Sequence, residues 1–237
     1  PSKSQLEYVS ELYKEAAKSF DAIITISAPH QCGHLDHIDS RLKIQRQQAI
    51  RPFKQQVLDR SAKKELRWAL CVYPTMAAAK KAGLSLRKYQ DFVYDACHLK
   101  SDSPIKEWRL LGAYQEKLVR RLNEGENFIF KRAGSELHLS TKERRWINSD
   151  GKRNMPSGEV FTSPVENSVN GEIEFSYPSR YFGENVDGVV LKFRNGKLEE
   201  WSAKKGKKLL DRVFETKGAK YVGEIAIGTN KNITKFT

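Results

Sequence analysis

Residues 144–164 read RRWINSDGKRNMPSGEVFTSP, and this stretch decides the fold of the second half of the chain. Two short β-prone runs, at 145–147 and 160–162, lie on either side of polar turn residues. Gly158 lets the backbone bend or be approached closely just before the second run, because glycine has no Cβ. The stretch therefore predicts a strand, a turn and a second strand that begins at Glu159.

Glu159 is the residue of this stretch that is best placed for chemistry. A carboxylate at the junction of a turn and a strand has a fixed base and an open side, which suits a metal ligand or a general acid or base. The simpler interpretation is a solvated glutamate that follows a turn. The stretch by itself leaves both interpretations open.

The composition indicates a globular protein of one large domain or two modest ones, since 39% of the 237 residues are hydrophobic and 10% are aromatic. No apolar run approaches the roughly 18 residues of a membrane span, and no signal peptide is visible. The three cysteines, Cys32, Cys71 and Cys97, form no C-x-x-C motif. We therefore expect free thiols in a reducing, cytoplasmic compartment.

The net charge of +13 invites a nucleic-acid interpretation. The charge is unevenly distributed, with +7 in residues 51–100 but −2 in residues 151–200, which contain Glu159. Lysine-rich stretches at 63–64 and 204–208 look like helix starts or solvated helix faces, and no zinc finger, helix-turn-helix or RNP-like motif accompanies them. A basic, non-catalytic α/β module that binds nucleic acid or another polyanion is the alternative function.

The first half of the chain has the pattern of an α/β domain, which we place at residues 1–124. Residues 21–27 predict a fully buried strand of a parallel sheet, and residues 66–73 are a second apolar run. An amphipathic helix precedes them, and Ser103-Pro104 predicts the start of a long helix with proline at its first position. The residues of that long helix predicted to face the core are Ile105, Trp108, Leu111, Tyr114, Leu118 and Leu122.

The second half, residues 125–237, predicts a mainly β (α+β) domain that contains one helix. Asn195-Gly196 is the strongest hairpin signal in the chain, and its type I′ turn should place Phe193 opposite Leu198. The predicted fold class is therefore an α/β N-terminal domain followed by a mainly β C-terminal domain.

Residue types that bind metals cluster in a loop after the first predicted strand. They are His30, Cys32, His34 and His37, with Asp36 and Asp39 beside them. Their spacing matches no standard zinc motif, so a polar loop is the favoured interpretation. A nucleophile pair of Cys97 and His98 is weaker still, because adjacent helix residues point apart.

The chain contains five Gly-Glu pairs, so the dipeptide selects nothing by itself. Glu159 and Glu224 stand out because each begins an apolar, strand-like run. If these two strands are neighbours, the carboxylates converge although they are far apart in sequence. Paired carboxylates can hold a metal or act as the acid and nucleophile of a glycosidase, and the residue types do not separate these sites.

Four blocks of sequence are distinctive: residues 144–164, VNGE at 169–172, YPSRY at 177–181 and GAKYVGEIAIGTN at 218–230. They closely resemble the thermophilic aminopeptidase family, the two-metal aminopeptidases of the aminopeptidase T and aminopeptidase S type. The NMPSGEVFTSP run within the first block is long enough to be highly specific. A looser resemblance extends over residues 26–29, 89–94 and 107–109.

The resemblance implies a metal site. In that family the glutamates of the MPxGEV block and of the later GExA block are metal ligands, and these positions fall on Glu159 and Glu224. Two divalent ions (zinc, cobalt or magnesium) would polarise the scissile carbonyl and activate a water for attack on the N-terminal peptide bond. The implied substrate is a peptide with a free N-terminus, and the implied assembly is a homodimer. The general base stays unassigned.

The resemblance also implies ligands that this chain lacks. The family completes its site with a histidine and a His-x-Asp element beyond the second glutamate, whereas the last histidine here is His138 and the chain stops at Phe236-Thr237. We therefore expect an internal fragment of a longer protein, truncated at both ends and inactive on its own. Asn167 and Asn232 stand where the family has an aspartate and a small residue, which affects the expected loop shapes.

Overall fold

The computed structural model of the protein describes residues 1–132 and 134–235. Ala133, Phe236 and Thr237, the last two of which end the second predicted domain, lie outside the described residues. Among the described residues, no helix is long and apolar enough to cross a membrane.

Helices and strands are numbered along the described residues. The helices are α1 (Lys3–Glu7), α2 (Glu11–Ser19), α3 (Ser40–Ala62), α4 (Met76–Lys81), α5 (Leu86–Ala96), α6 (Pro104–Asn123) and α7 (Lys207–Phe214). The strands are β1 (Ala22–Ser27), β2 (Arg67–Val72), β3 (Asn127–Arg132), β4 (Ser135–Ser140), β5 (Ile147–Ser149), β6 (Asn154–Met155), β7 (Glu159–Thr162), β8 (Asn170–Glu174), β9 (Ser179–Tyr181), β10 (Glu184–Val186), β11 (Val190–Arg194), β12 (Lys197–Ser202) and β13 (Ile225–Gly228).

The protein is a mixed α/β structure with several sheets, and its chain forms two compact units. The first unit consists of Pro1–Val93 with Lys152–Pro156, and the second consists of Tyr94–Gly151 with the residues from Ser157 onward. The predicted domain boundary at residues 124–125 stays a prediction, while the division between the two units lies within α5.

The first unit contains a parallel sheet with strand order β1-β2-β6. Ala22 pairs with Arg67 and Ser27 with Val72, so the strand predicted at residues 21–27 is present and parallel. Its predicted complete burial is wrong, because five of its six residues are exposed and Ile24 is 77% exposed. As the edge strand of this sheet, β1 has a hydrogen-bonded neighbour on one side only.

The predicted N-terminal helix is divided into α1 and α2. Helix α1 begins at a capping box, in which the Ser2 hydroxyl accepts from the Gln5 N–H and the Gln5 side chain accepts from the Ser2 N–H. Tyr8 ends α1 in an extended conformation, and Ser10 then caps α2. Local capping therefore overrides the continuous amphipathic pattern here.

The second unit is built on a five-stranded antiparallel sheet with strand order β12-β11-β8-β4-β3. The predicted hairpin is confirmed, since Phe193 pairs with Leu198. Asn195 and Gly196 have φ angles of 48° and 81°, and positive φ at both central residues is what a type I′ turn requires. The buried residues of this sheet are Leu137, Leu139, Val169, Phe193 and Leu198.

A three-stranded antiparallel sheet with order β13-β7-β5 contains the strands of the 144–164 stretch. Helix α6 covers it through a cluster in which Val119 packs with Trp146 and Val160, all three of them buried. Val160 follows Glu159 directly, so the burial of one residue fixes the backbone position of the other.

Helix α6 begins as predicted, with Ser103 as N-cap and Pro104 at the first position. Its predicted buried face is partly wrong, because Ile105 and Tyr114 are 68% and 57% exposed, whereas Gln115 is fully buried. The buried face of α6 is therefore shifted around the helix relative to the apolar pattern. Gln115, which the pattern assigns to solvent, lies on this buried face.

Gly196 provides a test of the packing around the hairpin. A Cβ at residue 196 would overlap the carbonyl oxygen of Glu166, a backbone atom that cannot rotate away. Gly218 has a similar φ, +88° against +81°, with nothing within 4 Å of its Cβ position. We expect Gly196→Ala to lower the free energy of unfolding by about 3 kcal/mol or more, and Gly218→Ala by about 1 kcal/mol, measured by urea denaturation. Equal losses would contradict the described packing.

Candidate metal centre

Glu159 lies on one strand of the three-stranded sheet, and Glu224 lies directly before the neighbouring strand. Glu159 begins β7 and pairs with Gly228, whereas Glu224 directly precedes β13, whose first residue, Ile225, pairs with Thr162. Glu224 lies four residues before Gly228, so strand alternation places it on the same face as Glu159. The backbone offset is roughly 13 Å along the strands. The two residues therefore lie toward opposite ends of this strand pair and not directly across from each other.

The carboxylates of Glu159 and Glu224 repel each other electrostatically. Burial raises the pKa of the Glu224 carboxyl above its ordinary value, and the negative charge of Glu159 raises it further. A divalent cation bound by both groups would replace this repulsion with attraction, so their charge and oxygen chemistry suit such an ion.

Gly158, which precedes the first of these glutamates, is required by the close approach of Asn230. Gly158 has a φ of +116°, which residues with side chains rarely adopt, and a Cβ there would overlap the Cβ of Asn230. The Gly158 carbonyl accepts hydrogen bonds from the backbone N–H groups of Thr229, at 2.8 Å, and Asn230, at 3.1 Å. The turn before Glu159 is therefore fixed against the residues that follow β13.

The side chain of Asn230 is buried and strengthens this connection. Its amide nitrogen donates to the carbonyl oxygens of Ser157 and Ala96, each at 2.8 Å. Ser157 in turn donates its hydroxyl to the Ser149 carbonyl at 2.8 Å. Asn230 stands at the end of a distinctive sequence block, which by itself predicted no role for it.

Gln115 on α6 is a second buried amide, and its burial was not predicted from the sequence. Its Nε2 donates to the carbonyl oxygen of Glu159 at 3.0 Å, to the carbonyl oxygen of Ser149 at 3.2 Å and to the hydroxyl of Thr229 at 3.0 Å. One side chain thus connects β7, β5 and the residue that follows β13. The sequence signal for its burial was its spacing: Gln115 lies four residues before the buried Val119 and therefore on the same face of α6.

The Gly-Glu pair at Gly171-Glu172 has a structural explanation. A Cβ at residue 171 would overlap the carbonyl oxygen of Glu136 on the neighbouring strand β4. Glu172 lies opposite Lys192 across β8 and β11, where opposite charges are favourable. Glu172 is therefore a suitable control for substitutions of the two candidate ligands.

The other predicted constellations are not brought together as metal sites. Among residues 1–132 and 134–235, no group of three or more His, Cys, Asp or Glu side chains is arranged to hold a metal, and this includes the loop with His30, Cys32, His34 and His37. Cys97 is buried, and its carbonyl accepts from Trp108 Nε1 at 2.9 Å. His98 contacts the amide of Asn232 through Nδ1 at 3.2 Å.

The absence of a three-ligand group among the described residues limits how well Glu159 and Glu224 fit a metal site. A catalytic zinc-like ion generally has about three protein ligands and one position for water. The two glutamates match such an ion in donor type and charge but supply only part of a ligand set. They form a candidate divalent-metal site on the three-stranded sheet.

An apolar cavity of about 430 Å³ adjoins this candidate site in the second unit. Phe130, Phe175, Leu191 and Phe214 contribute to its lining, and Glu224 is the charged residue of the lining. A cavity of this size and character accommodates an apolar side chain or a small ligand beside a carboxylate.

The family model described as thermophilic metalloprotease (M29) matches residues 1–237, so the chain belongs to the thermophilic metalloprotease family. The family resemblance predicted from the sequence blocks is thereby confirmed.

Individual relatives carry the name aminopeptidase. Aminopeptidase 2 from Geobacillus stearothermophilus is 28% identical over 178 residues, which are 68% of this chain and 43% of that protein. Aminopeptidase T from Thermus thermophilus is 28% identical over 176 residues, which are 68% of this chain and 41% of that protein. The chain thus aligns with about two fifths of the length of these relatives.

The fold is also similar to that of a solved structure, wild-type AmpT from Thermus thermophilus. The TM-score is 0.81 at 23% sequence identity, and the match covers 96% of this chain and 61% of that one. At this level of identity the comparison concerns the fold alone.

Removing one of the two like charges should stabilise the metal-free protein. We expect Glu224→Gln to raise the free energy of unfolding in the presence of a chelator, by less than about 1 kcal/mol because solvent screens exposed charges. Thermal or urea denaturation measures the difference. Glu172→Gln, opposite Lys192, should give no such gain. A loss of stability in Glu224→Gln would show that the two carboxylates do not repel each other.

Proposed function

We propose that this chain is part of a metal-dependent aminopeptidase that removes N-terminal residues from peptides. The observation that carries the proposal is the match of residues 1–237 to the metalloprotease family, and it is supported by the positions of Glu159 on β7 and of Glu224 directly before the neighbouring strand β13. In this proposal the two glutamates bind two divalent ions (zinc, cobalt or magnesium). The relatives named aminopeptidase support the exopeptidase class.

Divalent ions supply Lewis-acid polarisation of a scissile carbonyl and activation of a water molecule. The part played by this chain is to hold carboxylate oxygens in fixed positions for such ions. Gly158 and Asn230 fix the backbone before Glu159, and the packing of the partly buried Ile225 against the core fixes the backbone after Glu224. The apolar cavity beside Glu224 offers room for a side chain of the peptide.

The proposed partners are peptides with a free N-terminus and a second copy of the protein in a homodimer. A cytoplasmic location belongs to the same proposal and is supported by the free thiols of Cys32, Cys71 and Cys97. No residue is proposed as the general base.

The alternative of a basic, non-catalytic module that binds a polyanion is not favoured. The match over residues 1–237 is to a family of metalloproteases. The two functions differ in their response to conditions, because polyanion binding weakens steeply with salt, whereas metal-dependent hydrolysis stops with a chelator.

Substitution of the candidate ligands in the whole protein tests the proposal. Glu159→Gln and Glu224→Gln keep the side-chain shape but remove a negative charge each, so we expect metal affinity and turnover of an aminoacyl-nitroanilide to fall by at least about tenfold. Glu172→Gln should leave turnover within a few-fold, because Glu172 lies opposite Lys192 and outside the site. Equal losses in all three variants would mean that the wrong carboxylates were chosen.

The 237-residue chain alone should bind divalent ions weakly. Two such ions carry a charge of +4, whereas the two glutamates supply only −2. Among the described residues, no third ligand side chain joins the two glutamates. Titration with zinc or cobalt, together with the nitroanilide assay, measures this. Tight binding of two ions with chelator-sensitive hydrolysis would show instead that these residues complete the site.

A further inference from the structure

We propose that Gln115 is a positioning residue that presets the orientation of Glu159 for metal binding. This inference rests on the proposed function, since it takes Glu159 to be a ligand. The supporting observation is that the fully buried side-chain amide of Gln115 donates a hydrogen bond directly to the backbone carbonyl of Glu159.

The contacts of Gln115 fix which way its amide faces. The carbonyl oxygens of Ser149 and Glu159 can only accept hydrogen bonds, so the nitrogen end of the amide must face them. Three acceptors surround a group with two hydrogens, which means that the hydrogens are shared among them. The oxygen end, Oε1, is buried without a hydrogen-bond partner among the described residues.

A buried amide with an unsatisfied oxygen lowers the free energy of unfolding, so it is unfavourable on a helix face whose function is packing alone. An apolar side chain at residue 115 would bury no polar atom, but it would leave the carbonyls at the ends of β5 and β7 without this donor. The amide of Gln115 therefore supplies a hydrogen-bond donor that these carbonyls need, and one of the carbonyls belongs to Glu159 itself.

Glu159 is thus held from two sides. Asn230 and Thr229 donate to Gly158 directly before it, while Gln115 donates to its own carbonyl. A ligand whose backbone is fixed in advance loses less conformational freedom on binding an ion. Residues that orient metal ligands in this way typically contribute about 10-fold to 100-fold to metal affinity.

The chain offers a closely matched control in Asn148. Its side-chain amide also connects the three-stranded sheet to α6, because Asn148 Nδ2 donates to the Gly112 carbonyl at 3.0 Å. Its Oδ1, like Gln115 Oε1, is buried without a hydrogen-bond partner among the described residues. The difference is that Asn148 makes no bond to the Glu159 backbone among those described.

The test compares Gln115→Met and Asn148→Leu with the parent in the whole protein, each variant replacing an amide by an apolar side chain of similar size. Co²⁺ titration followed by visible absorption gives the dissociation constant and the spectrum of the bound ion, and urea denaturation gives the midpoint of unfolding. We expect both variants to lose stability to a similar extent. Only Gln115→Met should weaken Co²⁺ binding by about tenfold or more and alter the cobalt spectrum.

A Co²⁺ dissociation constant within threefold of the parent in Gln115→Met, with stability lowered as in Asn148→Leu, would overturn the proposal and leave Gln115 as a packing residue. If Gln115→Met does not fold, Gln115→Asn keeps an amide but shortens its reach. Unchanged Co²⁺ binding in that variant overturns the proposal equally. If Glu159→Gln leaves Co²⁺ binding unchanged, the proposed function itself fails, and this result does not depend on Gln115.

Discussion

The close contact between Gly158 and Asn230 is the constraint on which the candidate site depends. It connects the turn before β7 to the residues after β13, two segments that are far apart in sequence, and it tolerates no side chain at residue 158. Because a one-residue slip would turn every side chain of a strand to the opposite face, a fixed register is what keeps Glu159 and Val160 on their respective sides of the sheet. The backbone bonds from Thr229 and Asn230 to Gly158 fix this register at the end where Glu159 begins its strand.

Both candidate ligands follow the same local rule, in which an acidic residue directly precedes a core residue. Glu159 is followed by Val160, which is fully buried beneath α6, and Glu224 is followed by Ile225, which packs against both core clusters of the second unit. Burial of the apolar neighbour holds each glutamate's backbone, while strand alternation turns the carboxylate to the other face. Hydrophobic packing therefore supplies the rigidity that the charged groups could not obtain from contacts of their own.

Features of the fold that rest on local chemistry could be predicted from the sequence. The Asn195-Gly196 turn, the first position of α6 and the strand character around Glu159 each depend on residues within a few positions of one another. The exposure of β1 could not be predicted, because an apolar run indicates a preference for burial and not whether another layer covers the strand. The burial of Gln115 was not predicted for a related reason, since the hydrogen-bond acceptors of its amide lie 34 to 114 positions away in the chain.

The site thus combines an unfavourable charge arrangement with hydrogen bonds that hold the backbone of Gly158 and Glu159. Two like charges on one sheet face weaken the folded state slightly, and burial of the Glu224 carboxyl adds to the effect. A protein selected only for stability would replace one of the two glutamates by an uncharged residue. The presence of both glutamates favours a site whose negative charge is neutralised by a bound cation. Functional sites are where local rules of stability are expected to be broken, and here the surrounding hydrogen bonds offset that break.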